Sequence, residues 1–205
     1  MKNLLNFSII LLLIFSTSCK KEKEVLSKKT VDTKNYIIDS KNTVINWTAY
    51  KTTEKIPVKG IFKQVEISNV TSASNPVEVI KNVKFIIPVN SIFSNDSIRD
   101  FKLTTFLFGK MTNTSHIIGK ASLQDNGKGE ASITMNGLTK KVPLTYEVHG
   151  NDIQINTKIE LNNWQGQLAI AALNEVCLEK HKAADGISKT WSEVALNIQI
   201  KTKIE

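Results

Sequence analysis

Residues 141–161 read KVPLTYEVHGNDIQINTKIEL, and this stretch determines the fold class. Apolar and polar side chains alternate on both sides of Gly150, in the runs that begin at Val142 and Ile153. A period of two is typical of a β-strand that has one dry face and one solvated face. Because Gly150 is followed by Asn and Asp, which favour tight turns, the stretch predicts an antiparallel hairpin.

The same alternation recurs along the rest of the chain from Tyr36 onwards. Strands are predicted at residues 43–51, 57–69, 83–89, 115–124, 129–137, 142–148, 153–161 and 193–201. They make about eight strands, and because several connections are only a few residues long, neighbours in sequence should pair antiparallel.

Two segments depart from this alternation and place apolar residues at helical spacing. Short helices are predicted over residues 95–108, with Asn95 as the N-cap, and over residues 165–181, with Asn163 as the N-cap. Their apolar faces are expected to consist of Ile98, Phe101, Thr105 and Phe108 in the first helix and of Leu168, Ala172, Val176 and Cys177 in the second.

A sheet with a single apolar face hides that face by folding into a sandwich or by closing into a barrel. The sequential hairpins favour closure. The predicted fold is therefore all-β, a closed antiparallel eight-stranded β-barrel whose ends are covered by two short α-helices. A barrel of this size encloses an interior that side chains fill, or that holds one slender ligand.

Composition excludes several classes of protein. With 41% hydrophobic and 22% charged residues, the chain is neither a disordered tract nor a bundle of membrane spans. Its formal net charge of +8 is spread along the chain, so no nucleic-acid partner is expected. Two cysteines do not make a disulfide scaffold. Because the sequence lacks recognisable catalytic and nucleotide-binding motifs, neither an enzyme nor a cofactor is predicted.

The first residues resemble a bacterial lipoprotein signal. Lys2 precedes an apolar run that is too short to span a bilayer, and small polar residues lead to Cys19. The resemblance implies a signal peptide over residues 1–18 and acylation of Cys19, although Ser16 stands where the cleavage motif usually has leucine. An ordinary secretory signal with an incidental cysteine is the alternative.

Residues 19–35 follow as a lysine-rich segment without apolar period, which predicts a flexible tether between the lipidated cysteine and the domain. The expected location is the bacterial cell envelope, where the protein is held by its lipid anchor. Lys20, rather than Asp, follows Cys19, and by resemblance to lipoprotein sorting this favours the outer membrane. The periplasmic side is expected over the cell surface, although the residue after the cysteine does not decide the facing of the anchor.

A series of short motifs resembles one known family of domains. The motifs are Tyr36-Ile-Ile-Asp39, Val44-Ile-Asn-Trp47, Lys59-Gly60-Ile-Phe62, Ser91-Ile92, Arg99-Asp100 and Asn136-Gly137-Leu138-Thr139 leading into Val142-Pro143-Leu144. In this order, across residues 36–205, they resemble the YceI-like, lipocalin-like domains that are often called polyisoprenoid-binding. The chain departs from the family's usual pattern at Phe106-Leu-Phe-Gly109 and Ser115-His-Ile-Ile118.

The resemblance implies a membrane-anchored lipoprotein that binds a polyisoprenoid or similar long-chain lipid, as a carrier, buffer or store. The expected partners are that lipid and the membrane, and a homodimer is left open. Candidate ligand-lining residues are Trp47, Phe62, Phe85, Ile87, Phe101, Phe106, Phe108 and Trp164. Alternatively these side chains fill a solid core, and the protein is a structural or interaction lipoprotein without a lipid ligand.

Two polar groupings have further interpretations. Arg99 could face a quinone or phosphate head group at the barrel mouth, or it could make only surface and capping contacts. Cys177 and His181 are spaced to share one helical face, but a pair of ligands is a weak metal signal, and a packed free thiol is the alternative for Cys177. Third ligands would have to come from Glu179, Asp185, His116 or His149.

Overall fold

The structure is a computed structural model, and it describes residues 34–205. The predicted signal peptide at 1–18, the predicted acylation of Cys19 and nearly all of the predicted tether at 19–35 lie outside these described residues.

One antiparallel sheet dominates the described part of the chain. Its strands are β1 (Tyr36–Lys51), β2 (Ile56–Phe62), β3 (Glu66–Ser68), β4 (Val83–Pro88), β5 (Ile92–Phe93), β6 (His116–Leu123), β7 (Lys128–Met135), β8 (Leu138–His149), β9 (Asp152–Glu160) and β10 (Thr190–Ile204). Within residues 34–205 these ten strands pair in the order β3-β4-β6-β7-β8-β9-β10-β1-β2-β5. The all-β antiparallel prediction and the hairpins from β6 to β9 are confirmed.

The two ends of this sheet are joined by one stretch of chain. β2 pairs with β1, whereas β3 pairs with β4, and only residues 63–65 separate β2 from β3. The Lys63 N–H donates to the Ser91 carbonyl at 2.9 Å at this bend. The strand predicted at 57–69 is therefore two strands, and with the short β5 the count becomes ten instead of eight. The predicted barrel is a curled sheet, and its two ends are joined by the polypeptide itself at residues 63–65.

Alternation along the strands separates the interior of the curled sheet from its solvated face. On β8, Val142, Leu144 and Tyr146 are buried, whereas the residues between them are exposed. On β9, Ile153 and Ile155 are 1% and 3% exposed. The inward faces of all the long strands thus contribute to one hydrophobic core.

Short helical elements connect β5 to β6 and β9 to β10. They are α1 (Ser97–Lys102), a π-helical turn (Leu103–Leu107), a 3₁₀ turn (Phe108–Lys110), a second 3₁₀ turn (Leu161–Trp164), α2 (Gln167–Val176) and α3 (Leu178–His181). We refer to them together as the helical layer. No helix within residues 34–205 is long and apolar enough to span a bilayer.

Both predicted N-caps are wrong. The N-cap of α1 is Asp96, one residue after the predicted Asn95. Its carboxylate accepts a hydrogen bond from the Arg99 N–H at 3.0 Å. Asn163 lies inside the 3₁₀ turn that precedes α2, and α2 begins after Gly166 without a side-chain cap. Asparagine and aspartate are comparable N-caps, so composition alone does not distinguish neighbouring positions.

The predicted apolar faces of the helices are only partly buried: Phe108 is buried, and Val176 and Cys177 pack against the core. Ile98 and Phe101 are 62% and 61% exposed, and Leu168 is 82% exposed. In the first segment the π-helical turn requires more residues per turn than an α-helix, so the face calculated at α-helical spacing is out of phase beyond Lys102. In α2 the buried residues are Ala169 and Leu173, whose spacing of four places them on one face.

Different elements cover the two ends of the curled sheet. The helical layer lies at the end where β1 finishes and β10 begins, and α2 packs on β10. The loop over residues 69–82 lies at the opposite end, where Tyr36 and Ala73 exchange two backbone hydrogen bonds. Val79 and Ile80 in this loop are 0% and 1% exposed, so they seal that end with aliphatic side chains.

Two aromatic rings lie against strand glycines on the inner wall. Trp47 pairs with Gly60 across β1 and β2, and Phe85 pairs with Gly119 across β4 and β6. A Cβ atom at Gly60 would lie 2.2 Å from Cζ2 of Trp47, and one at Gly119 would lie 2.5 Å from Cζ of Phe85. The rings therefore occupy the space that side chains at these glycines would need.

We expect Gly60→Ala to lower the free energy of unfolding by roughly 1–3 kcal/mol, the usual range for overpacking a core. The new methyl group would be wedged between the Trp47 ring and the Phe93 carbonyl oxygen, 2.5 Å away. Urea denaturation measures the change. Lys59→Ala, at an exposed position on the same strand, is the matched control and should stay within about 0.5 kcal/mol of the parent. Equal stability of the two variants would contradict this packing.

Candidate functional site

A cavity of about 170 Å³ lies inside the curled sheet. All ten strands contribute to its lining, together with the Ile80 side chain from one end and Leu103, Leu107 and Phe108 from the other. The lining is aliphatic and aromatic apart from Thr43 and Thr157. Because such a lining offers water few hydrogen bonds, a cavity of this kind stays dry and accepts apolar molecules.

Five of the predicted ligand-lining residues come together in this cavity. Trp47, Phe62, Phe85, Ile87 and Phe108 all form part of its wall. They come from three strands and the helical layer, and the strand residues lie on the inner face of the sheet. Their role in binding a ligand remains a prediction.

Three other predicted lining residues lie outside the cavity lining. Phe101 is exposed and packs edge-to-face on Phe106, with ring centroids 6.3 Å apart. The π-helical turn directs Leu103 and Leu107 towards the cavity in their place. Trp164 is 1% exposed, and its indole N–H donates to a main-chain carbonyl of β7 at 3.0 Å, so it holds the helical layer to the sheet.

Two small side chains account for part of the free volume of the cavity. Ala121 on β6 and Ala131 on β7 are direct cross-strand partners, and both line the cavity. Each carries only a methyl group, whereas Ile117 and Ile133 on the same strands carry larger lining side chains, so this pair leaves the wall locally recessed. The sequence motifs did not identify either residue.

A second, smaller pocket of about 90 Å³ adjoins the cavity at the end covered by the helical layer. Trp47, Ala49 and Leu103 line both spaces, so the two are neighbours across these side chains. Four cationic side chains also line the smaller pocket, namely Lys51 from β1, Arg99 and Lys102 from α1, and Lys180 from α3. We refer to it as the basic pocket.

Several contacts hold these cations in place. Lys51 Nζ donates to the Lys180 carbonyl at 3.2 Å, and Lys102 Nζ donates to the Val176 carbonyl. Arg99 pairs with Asp96, the carboxylate of the pocket, with 3.2 Å between nitrogen and oxygen. The amide hydrogen bond from Arg99 lowers the pKa of Asp96, which is therefore ionised at neutral pH. Among the described residues, one carboxylate and four cations line this pocket, so it has an excess of positive charge.

His181 lies in the same pocket and is uncharged at neutral pH. Burial, followed by the positive charges of Lys51 and the two α1 cations, lowers its pKa from 6.5 to about 4. Its Nδ1 lies 2.7 Å from Oγ1 of Thr190, and that hydroxyl donates to Oδ1 of Asn174 at 2.9 Å. Because the Thr190 hydroxyl donates its proton to Asn174, its oxygen acts as the acceptor towards His181. The proton of the neutral imidazole is therefore on Nδ1.

Trp47 separates the cavity from the basic pocket and is only 4% exposed. Within the described part of the chain, its indole N–H has no hydrogen-bond partner. A buried donor without a partner is costly to the folded state.

A metal site at Cys177 and His181 would need a third ligand. Cys177 and His181 both line the basic pocket, but among residues 34–205 no group of three His, Cys, Asp or Glu side chains could hold a metal ion. Asp185 instead accepts a hydrogen bond from Thr53 at 2.7 Å. The Cys177 thiol is half-buried and packs at the edge of the hydrophobic core.

Comparison with known proteins identifies relatives of this architecture. A family model described as YceI-like domain matches residues 36–202, which confirms the resemblance predicted from the motifs. A polyisoprenoid-binding domain from Saccharophagus degradans, implicated in plant cell wall breakdown, is 11% identical, with a TM-score of 0.61 over 83% of this chain and 98% of that chain. BcnA from Burkholderia cenocepacia is 13% identical, with a TM-score of 0.52 over 81% and 99%. At these identities the two structures show that the fold is shared. No relative was found among curated proteins.

The pKa of His181 predicts how stability responds to pH. Because it is lower in the folded protein than the ordinary value of 6.5, the unfolded chain binds the proton first. The contribution of His181 is therefore complete above pH 6.5 and is lost as the pH falls towards 4. His181→Asn, which keeps a donor for Thr190, should flatten the dependence of unfolding free energy on pH in this window. His149→Asn, at an exposed histidine, should not, and an identical effect of both changes would contradict the assignment.

Proposed function

The chain belongs to the YceI-like domain family, and on that premise we propose that its curled sheet binds the apolar tail of a polyisoprenoid or similar long-chain lipid. The observation that carries the proposal is the apolar cavity enclosed by the strands. The polyisoprenoid-binding domain that shares the fold supports the same ligand class. Binding, rather than catalysis, is the role we assign to this interior, because no titratable side chain is found among the described residues that line it.

Energetics favour a long apolar chain over a small polar metabolite. Burying an aliphatic carbon contributes roughly 0.8 kcal/mol, so one isoprene unit contributes on the order of 3–4 kcal/mol. Association itself costs an estimated ~4–15 kcal/mol. Several buried units are therefore needed for useful affinity.

The volume of the cavity sets a second condition, which concerns the length of chain that it can hold. A cavity of about 170 Å³ is comparable to an engineered cavity of about 150 Å³ that binds benzene, so it receives about one isoprene unit as it stands. Further units require the lining side chains to move apart. The lining makes this feasible, because it consists largely of flexible aliphatic side chains instead of a polar network.

The size of the cavity also favours a second candidate function. Ligand pockets usually measure about 300–1,000 Å³, and the free interior here is smaller. A domain with a largely filled core could serve as a structural or interaction module of the cell envelope without a lipid ligand. The recovery of a ligand distinguishes the two candidates.

We expect organic extraction of gently purified protein, followed by mass spectrometry, to recover one apolar chain molecule per protein molecule. Ala131→Leu should reduce the recovered amount severalfold, because the larger side chain enters the recess beside Ala121. Ser132→Leu adds the same side chain on the opposite face of β7 and is the matched control. Thermal unfolding would confirm that both variants are folded. Absence of any extracted chain, together with no binding of added long-chain isoprenoid, would favour the solid-core candidate.

We also propose that the domain is held at a membrane by acylation of Cys19, with residues 19–35 as the tether. The support is the sequence pattern around Cys19, in which a positive residue and an apolar run precede small residues and the cysteine.

Metabolic labelling with radioactive palmitate tests this anchor. The full chain should incorporate label and sediment with membranes, and Cys19→Ala should abolish incorporation. Cys177→Ala is the matched control, because it removes the other cysteine of the sequence and should keep the label. Label that persists in the Cys19 variant would exclude lipidation at this residue.

A further inference from the structure

We propose that the turn between β1 and β2, residues 52–55, is a strained latch that holds the helical layer closed over the cavity. Its release controls the rate at which an apolar chain enters and leaves. This inference rests on the proposed function and specifies how its binding site is gated. Two observations carry it: the backbone of the turn is held in a costly conformation, and the contacts of the turn join the sheet to the helical layer.

Thr52 combines three unfavourable features in one residue. Its φ of 60° lies in the left-handed region, which a β-branched residue rarely adopts. It is only 4% exposed, and within residues 34–205 its hydroxyl has no hydrogen-bond partner. Lys55, at the other end of the turn, also has a φ of 60°. Such strain persists only where the surrounding contacts hold the backbone in place, and it is typical of ligand clamps and switch regions.

Three hydrogen bonds hold the turn, and all of them lead to residues 185–191, where the chain leaves the helical layer for β10. The Thr52 N–H donates to the Lys189 carbonyl at 2.8 Å, and the Thr52 carbonyl accepts the Trp191 indole N–H at 2.7 Å. The Thr53 hydroxyl donates to the Asp185 carboxylate at 2.7 Å. Because this last bond is exposed, water competes for both partners, and it is the contact that opens most readily.

The helical layer covers the cavity in two tiers, and the turn holds the outer one. Leu103, Leu107 and Phe108 form the inner tier and line the cavity. α2 packs on the two turns that carry these residues, and α3 and the segment to β10 follow it in the chain. At β7 the layer is held by a buried hydrogen bond from the Trp164 indole. The exposed Thr53 bond is weaker, so the layer parts from the sheet most readily at the β1–β2 turn.

A latch of this kind changes rates and not affinity, because the latched state is restored once the ligand has entered. Its loss accelerates association and dissociation by the same factor, so their ratio, Kd, stays constant. The probe is farnesol, a neutral isoprenoid alcohol, mixed with the purified, delipidated protein in a stopped-flow fluorimeter. Tryptophan fluorescence reports binding, since Trp47 lines the cavity.

Two substitutions should move the rates in opposite directions. Thr53→Val removes the hydroxyl that binds Asp185, so we expect both rates to rise about three- to tenfold, the effect of one hydrogen bond. Thr52→Gly relieves the left-handed backbone and removes the buried, unpartnered hydroxyl, so it stabilises the latched state and both rates should fall severalfold. Neither change should alter Kd.

Thr139→Val and Asn69→Gly are the matched controls and should keep the parent rates. The first removes a hydroxyl that is hydrogen-bonded to Thr134 on the outer face of the sheet, and the second relieves a left-handed residue beside the loop at the opposite end. Hydrogen exchange is a second readout that needs no ligand. Amides of α2 and α3 should exchange faster in Thr53→Val and more slowly in Thr52→Gly, whereas those of β7 and β8 should not change.

The outcomes distinguish failure of this inference from failure of the proposed function. Parent rates in both turn variants, or a change confined to Kd, would overturn the latch and leave the binding site intact. Altered rates in Asn69→Gly, with parent rates in Thr52→Gly, would overturn it as well, because the chain would then enter past the loop over residues 69–82. If the parent protein does not bind farnesol, both proposals fail.

Discussion

Every long strand of this sheet carries one face that must be kept from water, and the curl of the sheet follows from that constraint. A flat sheet would leave the apolar faces of β1, β4 and β6 to β10 exposed. The chain solves this with residues 56–68, whose first half pairs with β1 and whose second half pairs with β4. The bend at residues 63–65 thus brings the two ends of the sheet together, and the inward faces become a common core.

The inward faces of the strands leave a cavity because their largest side chains lie close to the wall of the sheet. Trp47 and Phe85 are large enough to fill the centre, but each ring lies against a strand glycine on the wall. The recess at Ala121 and Ala131 adds to the free space. Packing is normally close in protein interiors, so a dry void among aliphatic side chains forfeits dispersion energy that closer packing would recover. This loss is offset if an apolar chain takes up the space.

Features with a local signal could be predicted from the sequence, and those that depend on distant segments could not. Alternation around Gly150 identifies a hairpin, because each strand carries its own pattern. The exposure of Phe101 was not predictable, because no residue of α1 is buried and the inward face of this segment begins only in the π-helical turn after Lys102. The basic pocket was missed for a different reason: Lys51 and Lys180 are far apart in the sequence, and each reads alone as an ordinary surface lysine.

The cavity and the basic pocket differ in the charge that each can accept. The cavity wall is apolar beyond Trp47, so an ionised group drawn into it would lose its hydration without gaining partners. At the edge of this apolar region, Lys51 and Lys102 donate to main-chain carbonyls and Arg99 pairs with Asp96. These contacts hold the charged groups at the end covered by the helical layer, and the interior is left to neutral, apolar groups.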